Sequence, residues 1–92
     1  MRIYEIKFLG KQNADGVPRC LVSVLRTFDC NSIIISVIDP KGEREQHVPV
    51  DGPQDLQTAA KYLQHELDGG EGTRSQIRRY RRLLKHFFED VE

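Results

Sequence analysis

Residues 2–9, RIYEIKFL, place Tyr4, Ile6 and Phe8 on one side of an extended chain and Ile3, Glu5, Lys7 and Leu9 on the other, which predicts a strand. The polar stretch GKQNADG then turns the chain. Residues 17–28, VPRCLVSVLRTF, predict a second strand, and Pro18 near its start marks an edge or an irregular end because it cannot donate to a ladder. After a turn at DCNS, residues 33–38, IIISVI, are apolar on both sides with only Ser36 interrupting, as in a central strand. In DPKG, Pro40 presets a turn dihedral and Gly42 supplies a positive φ, so a hairpin follows. Residues 43–50, EREQHVPV, alternate again, with Arg44, Gln46, Val48 and Val50 on one side. The expectation is a four-stranded antiparallel meander.

Helical spacing replaces alternation after Val50. Asp51 or Gly52 serves as a cap and Pro53 suits a first turn, opening a helix over 53–67 in which Leu56, Ala59, Ala60, Leu63 and Leu67 share one face. The glycines of DGGEG end it. Thr73 and Gln76 have the spacing of a capping box, which starts a helix over 74–91 with the stripe Ile77, Tyr80, Leu84, Phe87, Phe88 and Val91. The order is ββββαα, a single α+β domain over residues 1–92.

The middle strands complicate that picture. Cys20, Val22 and Val24 oppose Leu21 and Leu25, and Ile33 and Ile35 oppose Ile34 and Ile38. A sheet open to water on one side alternates more cleanly. Either the two helices cover opposite faces, or another chain covers one, as in a homodimer.

Composition adds bounds. At 92 residues, 38% hydrophobic and 30% charged, the chain reads as one small soluble domain that buries only about 60–65% of its unfolded surface. No apolar run approaches the roughly 20 residues needed to span a bilayer. The opening residues lack the apolar core of a secretory signal, so the expectation is a cytoplasmic protein. If residues 19–28 form one straight strand, Cys20 and Cys30 stand about 30 Å apart, beyond the roughly 7 Å of a disulfide. A buried thiol at Cys20 and an exposed turn thiol at Cys30 are expected.

Charge changes the picture most. The formal net charge is zero, yet residues 1–38 carry +2, residues 39–71 carry −5, residues 74–86 carry +6 and residues 87–92 carry −3. At about 100° per residue, Arg74, Arg78, Arg82 and Lys85 project together opposite the apolar stripe, with Arg79 and His86 beside them and Arg81 at the border. Arg74 with Arg78, Arg78 with Arg82 and Arg81 with Lys85 are like-charge pairs, each costing a helix about 0.2–0.5 kcal/mol. The helix dipole adds to the cost in the first turns. Three explanations compete: a solvated face, compensation by the acids of residues 39–71, or an anionic partner surface. Arginine supplies five of the six cations, and its planar fork suits phosphate and carboxylate, which favours the third. Arg74, Arg78, Arg79, Arg81, Arg82 and Lys85 are therefore the expected partner-binding residues.

Chemistry is sparse elsewhere. His47, His65 and His86 lie on three different elements with no C-x-x-C or H-x-x-x-H pair, so no metal is expected. GGEG follows a helix and lacks the ending of a phosphate loop. Ser23, Ser32, Ser36 and Ser75 have no histidine or acid at a recognisable spacing. No catalytic residue and no cofactor are expected.

A single domain without an enzyme motif, with a bipolar charge layout and the surface RSQIRRYRRLLK, resembles the small phage-encoded inhibitors, among them the anti-CRISPR proteins that block nucleic-acid-guided complexes. The resemblance implies a non-catalytic binding protein and a ribonucleoprotein partner whose DNA path is obstructed. Residues 74–86 would meet acidic protein surface or guide phosphate. The alternative is a regulator that binds DNA or RNA directly with the same helix, as a dimer through the sheet. Zinc-finger spacing, an RNP aromatic signature and a GXXG clamp are all missing, and Tyr80 lies on the apolar stripe, so a protein partner is favoured.

Overall fold

Strand β1 (Ile3–Leu9) is followed by β2 (Leu21–Thr27), β3 (Ser32–Asp39), β4 (Gly42–Pro49), helix α1 (Pro53–Asp68) and helix α2 (Arg74–Phe88). This computed structural model describes residues 3–10, 15–16, 19–27 and 31–88, without the side chains of Ile3 and Thr27. Arg2, Pro18, Cys30 and Val91, and the outer parts of the expected spans at 17–18, 28 and 89–91, lie outside the described residues.

The strands form one antiparallel sheet in the order β1-β2-β3-β4, the meander expected from the alternation. In register, Ile6 faces Val24, Val24 faces Ile35, and Ile33 faces Val48. The β3–β4 hairpin closes as its sequence requires. The Asp39 carboxylate accepts the Lys41 backbone N–H at 2.9 Å, and Gly42 has φ +128°, a region that side-chain-bearing residues avoid.

Strand β2 starts at Leu21, four residues later than the expected strand over 17–28. Just before it, the Cys20 carbonyl accepts the Gly10 N–H at 2.8 Å, and the side chains of Arg19 and Cys20 reach the end of α1. The Arg19 guanidinium donates to the Leu67 carbonyl and the Cys20 thiol to the Glu66 carbonyl, both at 3.5 Å. These last-turn carbonyls have no partner within their own helix. At the other end of β2, the buried Arg26 donates to the carbonyl of Phe87 in the last turn of α2. Each helix C-terminus thus receives a cation from one end of β2, the sign its dipole favours.

Both helices lie on the same face of the sheet. Val22, Val24, Ile33, Ile35, Val37, Val48 and Val50 pack against Ala59, Ala60, Leu63, Leu67, Tyr80, Leu84 and Phe87 in one cluster. Tyr4, Ile6 and Phe8 join its margin from β1. The arrangement with helices on opposite faces is not adopted. Residues 69–73 join the helices and reach about 18 Å at full extension, too little to carry the chain round a sheet edge. The opposite face, carrying Leu9, Leu21, Leu25, Ile34 and Ile38, has no helix over it.

Candidate binding surface

Helix α2 begins at the capping box. The Gln76 backbone N–H donates to the Thr73 hydroxyl at 3.2 Å, and the Thr73 N–H donates to the Gln76 side-chain oxygen at 2.8 Å. Gly69, at φ +80°, ends α1 and returns its N–H to the His65 carbonyl at 2.9 Å. With its start pinned and no acid in its first turn, α2 turns Tyr80, Leu84 and Phe87 inward. The remaining positions then face outward by the geometry of the turn.

All six expected partner-binding residues are exposed: Arg74, Arg78, Arg79, Arg81, Arg82 and Lys85. They do not form one undivided row. Arg74, Arg78 and Arg81 converge with Gln57 of α1 and Ile77 on a cleft of about 230 Å³ between the helices. Arg79 lies with its guanidinium carbon 5.8 Å from the centre of the Tyr80 ring. Lys85 stands at the other end of the helix, beside an apolar cleft of about 310 Å³ bordered by Pro53, Leu56 and Phe88. Gln57 is the member of the surface that the sequence does not single out, since only helix pairing brings it beside the arginines.

Of the acids in residues 39–71, Asp39, Asp51, Asp55, Glu66 and Asp68 are held by groups other than these cations. Arg44 holds Asp39 at 2.9 Å and Glu66 at 2.5 Å. That bond to Arg44 keeps the Asp39 carboxyl below its ordinary range. Asp55 accepts the Asp51 N–H at 3.0 Å, and Asp51 accepts the Asn31 amide at 2.5 Å. Glu43 and Glu45 sit on the helix-free side of the sheet, opposite α2. Among the described residues, no carboxylate forms an ion pair with Arg74, Arg78, Arg79, Arg81 or Arg82. The alternative of compensation by the acids of residues 39–71 thus finds no ion pair to these arginines among the described residues.

Tyr80 is a core residue, 4% exposed, whose hydroxyl donates to Asp68 at 2.9 Å. Burial, followed by the bond to Asp68, pushes its pKa up to about 12. Because the folded value lies above the unfolded one, this contribution is complete below about pH 10 and is lost as pH rises toward 12. Burial also raises Cys20 and Tyr62, with the same sign. Tyr80→Phe should lower stability at neutral pH by roughly 1 kcal/mol and flatten the alkaline decline, which urea unfolding at pH 8 to 11 would read.

The histidines stay apart. His65 Nδ1 is 3.2 Å from the Gly70 carbonyl, His47 is 3.4 Å from Glu45, and His86 lies 5.7 Å from the Tyr4 ring. Among the described residues, no group of three or more His, Cys, Asp or Glu side chains is placed to hold a metal. No described helix is long and apolar enough to cross a membrane. Comparison with protein-family models, curated proteins and solved structures finds no match to this chain.

Proposed function

We propose that the chain is a non-catalytic binding protein that docks the arginine face of α2 on an anionic surface of a larger nucleic-acid-handling complex and obstructs it. Obstruction of a nucleic-acid-guided complex is what the resemblance to the anti-CRISPR proteins implies, and it would operate in the cytoplasm. The observation that carries the reading is the set of five exposed arginines on α2 without a carboxylate partner among the described residues. Repulsion within that set costs the free protein stability, and a partner carrying phosphate or carboxylate recovers it. The exposed acids Glu43 and Glu45 face away from this surface, so a polyanion can approach α2 without meeting them.

The test is a mobility-shift assay with a guide-RNA-loaded, DNA-binding ribonucleoprotein complex. The protein should bind the loaded complex and prevent it from shifting target duplex. It should leave bare duplex and bare single strand unshifted at moderate salt. A direct nucleic-acid binder would instead shift bare duplex at low salt, with affinity falling by a log–log slope near −0.9 per phosphate neutralised. That result would overturn the docking reading.

A further inference from the structure

The helix-free face of the sheet is charged and apolar in a pattern that matches itself. Its middle row runs Lys7, Ser23, Ser36, Glu45 across the four strands. The row beside it runs Glu5, Leu25, Ile34, His47, and the row on the other side runs Leu9, Leu21, Ile38, Glu43. Each of these rows is apolar or hydroxyl-bearing at the centre. In the first two, the groups at the β1 and β4 edges have opposite charge or complementary hydrogen-bonding character. Leu9 is 67% exposed and Ile38 is 44% exposed, and with the half-buried Leu21, Leu25 and Ile34 they make an apolar patch rather than scattered single side chains.

We infer that this face binds a second copy of the same chain, sheet against sheet, about a two-fold axis parallel to the strands that lies midway between the two sheets, over the seam of β2 and β3. That operation exchanges β1 with β4 while keeping each row in place. Lys7 of one copy then lies over Glu45 of the other, and Glu5 lies over His47. Leu25 meets Ile34, Leu21 meets Ile38, and Ser23 meets Ser36, each contact occurring twice as an isologous interface requires. Only Leu9 over Glu43 is mismatched, at the rim. Aligned sheets cross at about −30°, a rotation that long rim side chains can follow.

Four strands about 4.8 Å apart, at roughly 3.3 Å per residue, present on the order of 500 Å² of flat area per copy before side-chain relief is counted. Standard interfaces bury about 800 Å² per partner, so the dimer belongs at the weak, concentration-dependent end. Because both helices lie on the opposite face, the dimer carries one arginine surface on each outer side. The inference is independent of what those surfaces bind.

Sedimentation velocity over a concentration series should show the mass rising from that of one chain to that of two. Ile34→Lys should hold the protein monomeric with an unchanged circular dichroism spectrum. Lys7→Glu should weaken association about tenfold or more by placing like charges in contact. Combining it with Glu45→Lys should restore association, because the rims are again opposite in sign. A protein that stays monomeric at every concentration would overturn the inference. So would a dimer indifferent to Ile34→Lys, or a charge swap that fails to restore association.

Discussion

Phe87→Ala should cost about 3–5 kcal/mol, the full range for removing a buried aromatic ring. Phe87 is completely buried, and its ring meets Tyr4 edge-on at 6.4 Å between centroids. Its carbonyl receives the buried Arg26, so the residue joins β1, β2 and the end of α2 at one point. A cavity there loosens the helix from the sheet as well as removing apolar contact. A domain of this length has about 5–14 kcal/mol in total, so this one change consumes a large share. Urea unfolding should show a much lower midpoint with little change in slope. Phe87→Leu, which keeps most of the volume, should recover the greater part. A midpoint unchanged by the alanine variant would mean that α2 is not held to the sheet through this ring.

The second large effect is on binding. Arg78→Ala with Arg82→Ala should weaken capture of the anionic partner by about 100-fold or more, at roughly 1.5–3 kcal/mol for each charge-assisted bond lost. Stability should stay level or rise by up to about 1 kcal/mol. The change removes the like-charge pairs Arg74–Arg78 and Arg78–Arg82 and introduces the residue with the highest helix propensity. Both arginines are exposed, and neither has an ion pair among the described residues. Binding and unfolding measured on the same preparation separate the outcomes. Lost binding with an intact fold supports docking through α2. Unchanged binding moves the contact off this helix, and an unfolded variant makes the arginines structural.

Much of this was legible in one dimension. Alternation grouped Tyr4, Ile6 and Phe8 on one side of β1, which the fold turns to the core, and the Thr73–Gln76 spacing marked the start of α2 to the residue. These signals are local, set by the period of strand or helix and by backbone groups a few positions apart. Arg26 shares the parity of Val22 and Val24, but only the fold shows that side to be the core, and only the helix terminus above it explains a buried cation. Arg19 and Cys20 read as strand because their alternation continues; the Cys20 carbonyl does accept the Gly10 N–H at 2.8 Å, while their side chains reach α1 carbonyls some 46 to 48 residues away, which no local pattern shows.

The arginine surface divides in the same way. Its composition and its outward direction follow from helical geometry, because an apolar stripe at this spacing leaves the cations no other side. Gathering Arg74, Arg78 and Arg81 with Gln57 in one cleft needed the pairing of two helices.

By itself the sequence determined the order of elements, the inward stripe of each helix and the clustering of cations on the last one, all consequences of short-range periodicity. The tertiary structure alone decided that both helices share one face of the sheet, that Asp39, Asp51, Asp55, Glu66 and Asp68 are held by groups other than the α2 arginines, and that two rows of leucines and isoleucines are left without a helix on the far side. Those outcomes depend on how far a five-residue connection can reach and on which distant groups it brings together, and no local pattern encodes either.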